Sequence, residues 1–389
     1  MASLVDRKKE SKNNFLVNIG ILIDPLENSQ IKEWAFIVKD SLQKELSGLF
    51  PQFTWELSIL ERHDFPKALP KDPLTLLEFG SDIKIENNYD FLLILTSLPL
   101  KARFSQGINA VPSSMLETAI ISLSKIFECD KEGIKKISAI NLIKHVLGHL
   151  WGLDHNESSV MKPRKSWCNE QTLDWNSEEK NQIEDFLNDV ADPRVEETDG
   201  TKSTFLFYLR VLIKEGPSLL RDIIFFRSWR MFLNLGRFTA ATAVSIIFLF
   251  LSAEAWEMGA AIQSRWLDYI LLLVIIASTL SLYFGQNLHG IGQSDKMKEQ
   301  AVRSRIILIG TLFVGMVSFW LNLLFISFII INFLPEKVIA GWAGLGNSDL
   351  PVFHFSKLMA TFGILASSVG GNLEEEQDIK AVLIYTEET

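Results

Sequence analysis

The stretch His145-Val146-Leu147-Gly148-His149-Leu150-Trp151-Gly152-Leu153-Asp154-His155 contains three of the chain's six histidines. His145 and His149 are four residues apart, so on a helix they lie on one face and can bind one metal ion. Gly152 allows the chain to leave that helix through a left-handed residue. His155 can then return as a third ligand, and the stretch predicts a helix that ends in a metal site.

The spacing His-x-x-x-His-x-x-Gly-x-x-His resembles the zinc motif of the metzincins, a family of zinc metallopeptidases that includes archaemetzincins and matrixins. The segment 160–163, Val-Met-Lys-Pro, resembles the turn that puts a methionine beneath the zinc in that family. In size the N-terminal region most resembles an archaemetzincin, but it lacks that branch's cysteine cluster after the third histidine. The resemblance implies zinc as cofactor, with ligands and structural residues at His145, His149, His155, Gly152, Met161 and Pro163.

The residue after the first histidine departs from the family pattern. Metzincins have a glutamate there, the general base of peptide hydrolysis, whereas this chain has Val146. Valine cannot take a proton, and general acid–base assistance contributes about 10²–10⁴ in rate. Because that glutamate is not a zinc ligand, the sequence predicts retained zinc binding with impaired hydrolysis. Glu157, in the loop after the third histidine, is the candidate substitute base, so the sequence leaves open whether the chain is an enzyme.

Hydrophobic patterning of residues 15–190 predicts an α/β (α+β) domain with a mixed sheet, the fold that the resemblance also implies. Apolar, β-branched runs predict strands, which cover residues 15–23, 53–60 and 89–97. Helical spacing and a capping box at Asn176 and Glu179 predict helices, which cover residues 29–46, 132–151 and 176–190. The segment 107–114 is assigned to a loop.

Composition separates a polar first half from an apolar second half. Residues are 48% hydrophobic and 22% charged, and nearly all long apolar runs follow residue 204. The net charge of −9 argues against nucleic acid as a partner. Cys129 and Cys168 offer no disulfide framework and no Cys-x-x-Cys metal site, and they fit a reducing compartment. Residues 1–14 form a polar tail without the apolar core of a secretory signal.

The second half is predicted to be an all-α transmembrane domain of three or four helices. Three apolar runs are long enough for spans, and a weaker fourth run is rich in small residues; they cover residues 238–258, 269–285, 306–334 and 352–371. Polar or charged segments flank them: a linker at 191–203, a basic interfacial segment at 204–237 and an acidic tail at 373–389. These helices make a lipid bilayer the expected partner.

Loop charge predicts the orientation. Basic residues before the first span and in the loop 286–305 place the metal-binding domain on the cytoplasmic side of the membrane. The favoured function is a membrane-anchored zinc module that binds or senses a peptide or protein ligand. Two alternatives stay open: an active membrane-bound zinc metallopeptidase that uses another base, and a transporter or channel regulated by the zinc domain.

Overall fold

The computed structural model describes residues 15–27, 29–66, 72–101, 103, 108–164, 166–168, 170–190, 204–225, 235–290, 299–344, 351–371 and 374–388. The predicted polar tail at 1–14 and linker at 191–203 lie outside these residues. Contacts divide the chain into two compact units. The first is Met1–Ser218, Ile291–Ser304 and Ile384–Thr389, and the second is Leu219–Gly290 and Arg305–Leu383.

Among the described residues, all five strands lie before residue 123, and the elements after residue 200 are helices. The strands are β1 (Phe15–Ile23), β2 (Phe53–Glu61), β3 (Phe91–Thr96), β4 (Ala110–Ser113) and β5 (Thr118–Ser122). The helices before residue 200 are α1 (Ser29–Leu49), α2 (Pro73–Asn87), α3 (Ser124–Phe127), α4 (Glu132–Leu150) and α5 (Ser177–Val190). The later helices are α6 (Thr204–Phe225), α7 (Gly236–Leu251), α8 (Ala253–Ala261), α9 (Ser264–Gly285), α10 (Glu299–Phe333), α11 (Glu336–Trp342), α12 (Val352–Gly371) and α13 (Glu376–Ile384).

The first unit is built on one mixed sheet with the strand order β2-β1-β3-β5-β4. Four strands are parallel, and β4 pairs antiparallel with β5 at one edge. Every residue of β3 is buried, as expected for a central parallel strand. Together with the helical region that follows, this sheet confirms the predicted fold class.

Two features of the first unit correct the sequence analysis. Strand β4 lies in the segment assigned to a loop, because a four-residue strand containing Pro112 has too little alternation to be recognised. Cys129 and Cys168 form a disulfide, with their Cα atoms 5.9 Å apart. Their 39-residue separation in sequence gave no sign that the fold brings them together.

Helix α4 is fixed in the core by a buried charge. The ammonium of Lys144 has no exposed side-chain area, and its Nζ lies 2.9 Å from Glu45 Oε2. It also contacts the carboxylate of Asp174 and lies 5.7 Å above the ring of Trp175. A buried cation requires such partners, since desolvation of an unpaired ammonium is costly. The ion pairs therefore hold α4 against α1 and the segment before α5.

The capping box predicted at Asn176 and Glu179 is present. The backbone N–H of Glu179 donates to Asn176 Oδ1 at 2.9 Å, and the N–H of Asn176 donates to Glu179 Oε2 at 2.8 Å. The other carboxylate oxygen of Glu179 accepts from Ser159 Oγ at 2.7 Å, and Ser159 Oγ accepts from the N–H of Met161 at 3.1 Å. The start of α5 is thus linked to the turn that contains Met161.

In the second unit, three helices (α9, α10 and α12) are long and apolar enough to cross a membrane. A fourth candidate is the pair α7 and α8, which is bent by 77°. The sequence predicts one span over about 238–258. The structure breaks it at Ser252, whose side chain caps α8 by accepting from the N–H of Ala255. Many large apolar side chains of this unit are exposed, among them Leu273 and Phe325, and this pattern indicates a membrane protein.

Part of the predicted acidic tail at 373–389 has regular structure. Residues 376–384 form helix α13, and the chain then runs as an extended segment beside β4. The pairing is an antiparallel bridge between Ala110 and Glu388. A charge count alone cannot show that one of these acidic residues is buried.

The capping box gives a stability prediction. Asn176→Ala removes the side-chain acceptor at the start of α5 and is expected to lower the free energy of unfolding of the first unit by about 1 kcal/mol. Denaturant unfolding of the full chain measures this. The control Asn181→Ala, at an exposed position of the same helix, is expected to change it by less than about 0.5 kcal/mol. Equal effects of the two substitutions would contradict the role of the cap.

Candidate metal centre

The end of α4 delivers the histidines by a local backbone motif. The N–H of Leu153 donates to the carbonyl of Gly148 at 2.8 Å, and the N–H of Gly152 donates to the carbonyl of His149 at 3.1 Å. These two bonds form a Schellman motif, which needs a left-handed residue after the helix. Gly152 supplies it with φ of +80°. The chain then reverses and brings His155 back toward the helix.

Backbone carbonyls orient two of the three imidazoles. Nδ1 of His145 lies 2.9 Å from the carbonyl oxygen of Val160, and Nδ1 of His149 lies 3.0 Å from that of Leu153. A carbonyl can only accept, so each Nδ1 carries the proton. In the neutral imidazole the other nitrogen, Nε2, then has a free lone pair. This is the arrangement that histidine metal ligands use.

The three Nε2 atoms converge. His149 Nε2 lies 3.1 Å from His145 Nε2 and 3.2 Å from His155 Nε2. Ligands about 2.0–2.1 Å from a tetrahedral zinc ion are roughly 3.3 Å apart, so these separations fit one zinc ion. Burial lowers the pKa of His149 to about 4, although the carboxylate of Glu388 opposes the shift. At neutral pH the His149 ring is therefore uncharged, and its Nε2 lone pair can bind a cation.

A fourth residue, Glu388, joins the histidines, and the sequence analysis did not single it out. Its Oε2 lies 3.1 Å from His155 Nε2 and 3.4 Å from His145 Nε2, and its Oε1 lies 3.4 Å from His149 Nε2. The side chain is only 6% exposed.

The donor set fits a metal ion. The candidate ligand atoms of His145, His149, His155 and Glu388 all lie within 4.8 Å of one another. Among the described residues, no hydrogen-bond donor reaches Oε1 of Glu388, although this atom is buried. A buried, unsatisfied carboxylate oxygen that faces neutral imidazole nitrogens is costly without a cation. Three nitrogens and one carboxylate oxygen are typical ligands of zinc.

Backbone pairing holds Glu388 in place. Its N–H donates to the carbonyl of Ala110 at 2.9 Å, and its carbonyl accepts from the N–H groups of Asn109 at 2.7 Å and Ala110 at 3.2 Å. Two residues earlier, the N–H of Thr386 donates to the carbonyl of Pro112 at 3.2 Å. The segment 385–388 thus lies along the outer edge of β4. Sequence reasoning missed Glu388 because its metal-site partners are 233 to 243 residues away along the chain.

The turn with Met161 lies directly against α4. Met161 is fully buried, and the carbonyl of its neighbour Val160 is the acceptor that orients His145. A Cβ added to Gly148 would lie 2.3 Å from Met161 Sδ and 3.1 Å from Trp175 Nε1. The glycine between the two helical histidines therefore makes room for the methionine. Pro163 follows this turn, in the place that the sequence analysis gave it.

The position of the missing general base and the candidate substitute base lie in different surroundings. Val146 is fully buried and belongs to the apolar core of the first unit. Glu157 is exposed, and its carboxylate lies 2.7 Å from Lys162 Nζ. Hydrogen bonding to Lys162 lowers the pKa of Glu157. The carboxylate among the three histidines is that of Glu388, and the use of Glu157 as a base stays a prediction.

A cavity of about 250 Å³ is lined by residues near the metal centre, although none of the three histidines is among them. Its lining includes Trp167, whose ring packs edge-on against His145 with the centroids 5.0 Å apart. Asn109, which binds the carbonyl of Glu388, lines it as well. Cys168 forms another part of the wall, so the disulfide to Cys129 fixes one side of this space.

The close fit at Gly148 gives a second prediction. Gly148→Ala forces Met161 to move, and this overpacking is expected to lower the free energy of unfolding by about 1–3 kcal/mol. It is also expected to weaken metal binding, because the carbonyl of Val160 moves with Met161. Gly133→Ala in the same helix is the matched control, since its added Cβ meets nothing within 4 Å. Denaturant unfolding measures the stability of both variants, and competition with a chelator measures their metal affinity. If Gly148→Ala changes neither quantity more than Gly133→Ala does, the prediction is wrong.

Comparisons with known proteins give a likeness of low similarity. No protein-family model matches the sequence, and no curated protein matches it significantly. Archaemetzincin from Methanopyrus kandleri is similar to this chain at 17% identity and a TM-score of 0.36, over 44% of this chain and 96% of that one. A zinc-dependent peptidase from Methanocorpusculum labreanum has 16% identity and a TM-score of 0.34, over 42% and 99% of the two chains. Archaemetzincin from Archaeoglobus fulgidus, complexed with malonate, has 16% identity and a TM-score of 0.34, over 43% and 99%.

Identities of 16–17% and TM-scores of 0.34–0.36 do not assign the chain to a family. The geometry of the histidines and Glu388 is the basis for a proposal about its chemistry.

Proposed function

We propose that this protein is a membrane-anchored zinc-binding protein with impaired peptide hydrolysis, whose first unit acts as a binding or sensing module. One observation carries the proposal. Nε2 of His149 lies 3.1–3.2 Å from the Nε2 atoms of His145 and His155, and backbone hydrogen bonds direct the lone pairs of His145 and His149 inward. Val146 occupies the position where the resemblance expects the base.

Zinc is the metal that this donor set favours. Imidazole also suits copper, nickel and iron, so ligand type alone does not choose among them. Tetrahedral coordination by histidine nitrogens and a carboxylate is typical of zinc, whose filled d shell imposes no other geometry. When bound with an open position, such an ion lowers the pKa of a water molecule and polarises a carbonyl.

Two features of the chain argue against efficient hydrolysis. The buried side chain of Val146 has no atom that can accept a proton. Glu388 is not placed as a base either, because its carboxylate lies within 3.1–3.4 Å of all three Nε2 atoms. That position is the one where a water molecule or a peptide carbonyl has to bind. The alternative of an active peptidase with Glu157 as base remains the competing proposal.

The second unit supports a membrane anchor. Its candidate spans expose large apolar side chains such as Ile247 and Leu273, which a bilayer would cover. The basic segments near residues 204–237 and 286–305 favour a cytoplasmic first unit. The Cys129–Cys168 disulfide is instead typical of an oxidising compartment. We propose the cytoplasmic orientation because loop charge determines how the helices insert. Two adjacent cysteines are oxidised or reduced according to their compartment, so their proximity does not fix the orientation.

Metal content tests the proposal directly. The full chain, purified in detergent and dialysed, is expected to retain about one zinc per chain, as one three-histidine site requires. His149→Ala removes the central ligand, and stoichiometric zinc is expected to be lost. His63→Ala, at an exposed position outside the site, is the control and is expected to retain zinc. Wild-type protein without bound zinc at stoichiometric level would overturn the proposal.

Peptide cleavage tests the other half of it. Zinc-loaded wild type is expected to cleave no member of a peptide library in a chelator-sensitive way, since no base replaces the missing glutamate. Chelator-sensitive cleavage that Glu157→Ala abolishes would establish the competing proposal of an active peptidase. The zinc content of wild type and of Glu157→Ala is measured alongside cleavage, so that a loss of activity caused by lost metal is not attributed to the missing carboxylate.

Cysteine labelling tests the orientation. If the first unit is cytoplasmic, the reducing cytosol keeps the Cys129–Cys168 disulfide open, and a membrane-permeant maleimide is expected to label the exposed Cys168 in intact cells without prior reduction, whereas an impermeant one is expected not to label it. Labelling that occurs only after reduction would place the first unit on the oxidising side. A Cys129→Ser, Cys168→Ser variant gives the background.

A further inference from the structure

We propose that Glu388 is the fourth metal ligand and that the segment Tyr385–Glu388 closes the site against other ligands. This inference rests on the proposed zinc site. It adds that the site is closed by the chain's own extended segment, and that an exogenous carboxylate, hydroxamate or extended peptide has to displace this segment to reach the metal.

The backbone contacts of the segment are those of strand addition. Alternate residues, Thr386 and Glu388, bond to the carbonyls of Pro112 and Ala110 along the free edge of β4. An extended peptide that adds to a sheet edge uses the same backbone groups, whatever its sequence. Pro112 has no N–H, so one bond of the ladder is missing at that position. An incomplete ladder is one reason to regard the segment as displaceable.

Side chains fix the register of the segment. Ser113 Oγ donates to the carbonyl of Ile384 at 2.6 Å, and Glu387 Oε1 accepts from the N–H of Arg103 at 2.6 Å. Successive side chains of an extended segment point in opposite directions. With Glu387 directed to Arg103, Glu388 is directed to the histidines. A shift of one residue would exchange these two acidic side chains and remove the buried one from the site.

The burial of Glu388 is the reason to assign it to the metal. Its carboxylate is almost fully buried among three histidines, and in the described part of the chain its Oε1 has no hydrogen-bond donor. An ionised carboxylate is stable in such surroundings only beside a positive charge. Zinc at the point where the imidazoles converge would supply that charge. The segment and the metal therefore stabilise each other.

The tether makes the closure strong against free ligands. A ligand attached to its own protein acts at an effective concentration in the millimolar range for a short flexible connection, and higher when its position is fixed. Backbone bonds at Thr386 and Glu388 fix this segment along β4. Millimolar concentrations of a small chelating ligand are thus expected to compete poorly in wild type and well once the carboxylate is removed.

The test uses the full chain in detergent with cobalt(II) in place of zinc, and metal content is measured first for every variant. Addition of acetohydroxamate is followed by the visible absorption of the cobalt. In wild type the spectrum is expected to stay unchanged at millimolar ligand. In Glu388→Gln, which keeps the side-chain volume but removes the charge, the spectrum is expected to shift at concentrations roughly tenfold lower or more, because the tethered competitor is lost.

Glu387→Gln is the matched control. It lies one residue earlier in the same segment, and its amide oxygen can still accept from the N–H of Arg103. It is expected to behave like wild type. If wild type and Glu388→Gln bind cobalt equally and respond to acetohydroxamate at the same concentration, the inference is overturned while the zinc site stands. If wild type binds no metal, the proposed function itself fails, and that result is distinct.

Hydrogen exchange gives a second readout that does not depend on an added ligand. The N–H groups of Thr386 and Glu388 are expected to be protected in the zinc-loaded wild type, because both donate to β4. Zinc removal and Glu388→Gln are each expected to accelerate their exchange, with the core strand β3 unchanged. Equal protection in all three states would show that the segment is held without the metal and would contradict the inference.

Peptide cleavage by Glu388→Gln separates the two proposals further. The inference predicts an opened metal position, whereas the missing base at Val146 predicts that hydrolysis stays impaired. A cobalt spectrum that responds to acetohydroxamate together with absent cleavage is the expected combination. Chelator-sensitive cleavage by Glu388→Gln would confirm the closure and overturn the proposal of impaired hydrolysis, because the segment would then inhibit a functional peptidase.

Discussion

The structure of the first unit depends on one meeting point, where the Nε2 atoms of three histidines and the carboxylate of Glu388 come together. None of these groups satisfies another well without a cation. The imidazoles of His145 and His149 each donate their N–H to a backbone carbonyl. The buried Oε1 of Glu388 has no hydrogen-bond donor in the described part of the chain. The arrangement therefore favours a positive charge at the centre, and these donor atoms are ones that zinc binds.

Several separate elements converge to hold this point. The buried ion pairs of Lys144 fix helix α4, and the Schellman motif at Gly152 ends it so that His155 returns. The capping box of α5 reaches through Ser159 to Met161, which lies against Gly148. The histidine arrangement thus depends on residues that are not themselves ligands, as is usual for metal sites.

The histidine half of the site could be predicted from sequence, because it depends on local spacing. The interval of four between His145 and His149, and the turn at Gly152, are properties of one helix end. The capping box at Asn176 is local in the same way. The disulfide and Glu388 were missed because each depends on residues far apart in the chain: Cys129 and Cys168 are 39 positions apart, and Glu388 is 243 from His145. Strand β4 was missed because it has only four residues and contains Pro112. The break at Ser252 was missed since an apolar run of adequate length does not reveal a bend.

Metal binding and catalysis are separate properties of this site: the histidines can bind zinc without a base at position 146, and Glu388 occupies the remaining metal position. The central claim is a four-ligand site formed by His145, His149, His155 and Glu388. Diffraction at the zinc absorption edge from crystals of the full chain tests it most directly. The account predicts one anomalous peak about 2.0–2.2 Å from the three Nε2 atoms and from one oxygen of Glu388. Absence of that peak, or a peak with a water molecule in the place of the Glu388 carboxylate, would contradict it.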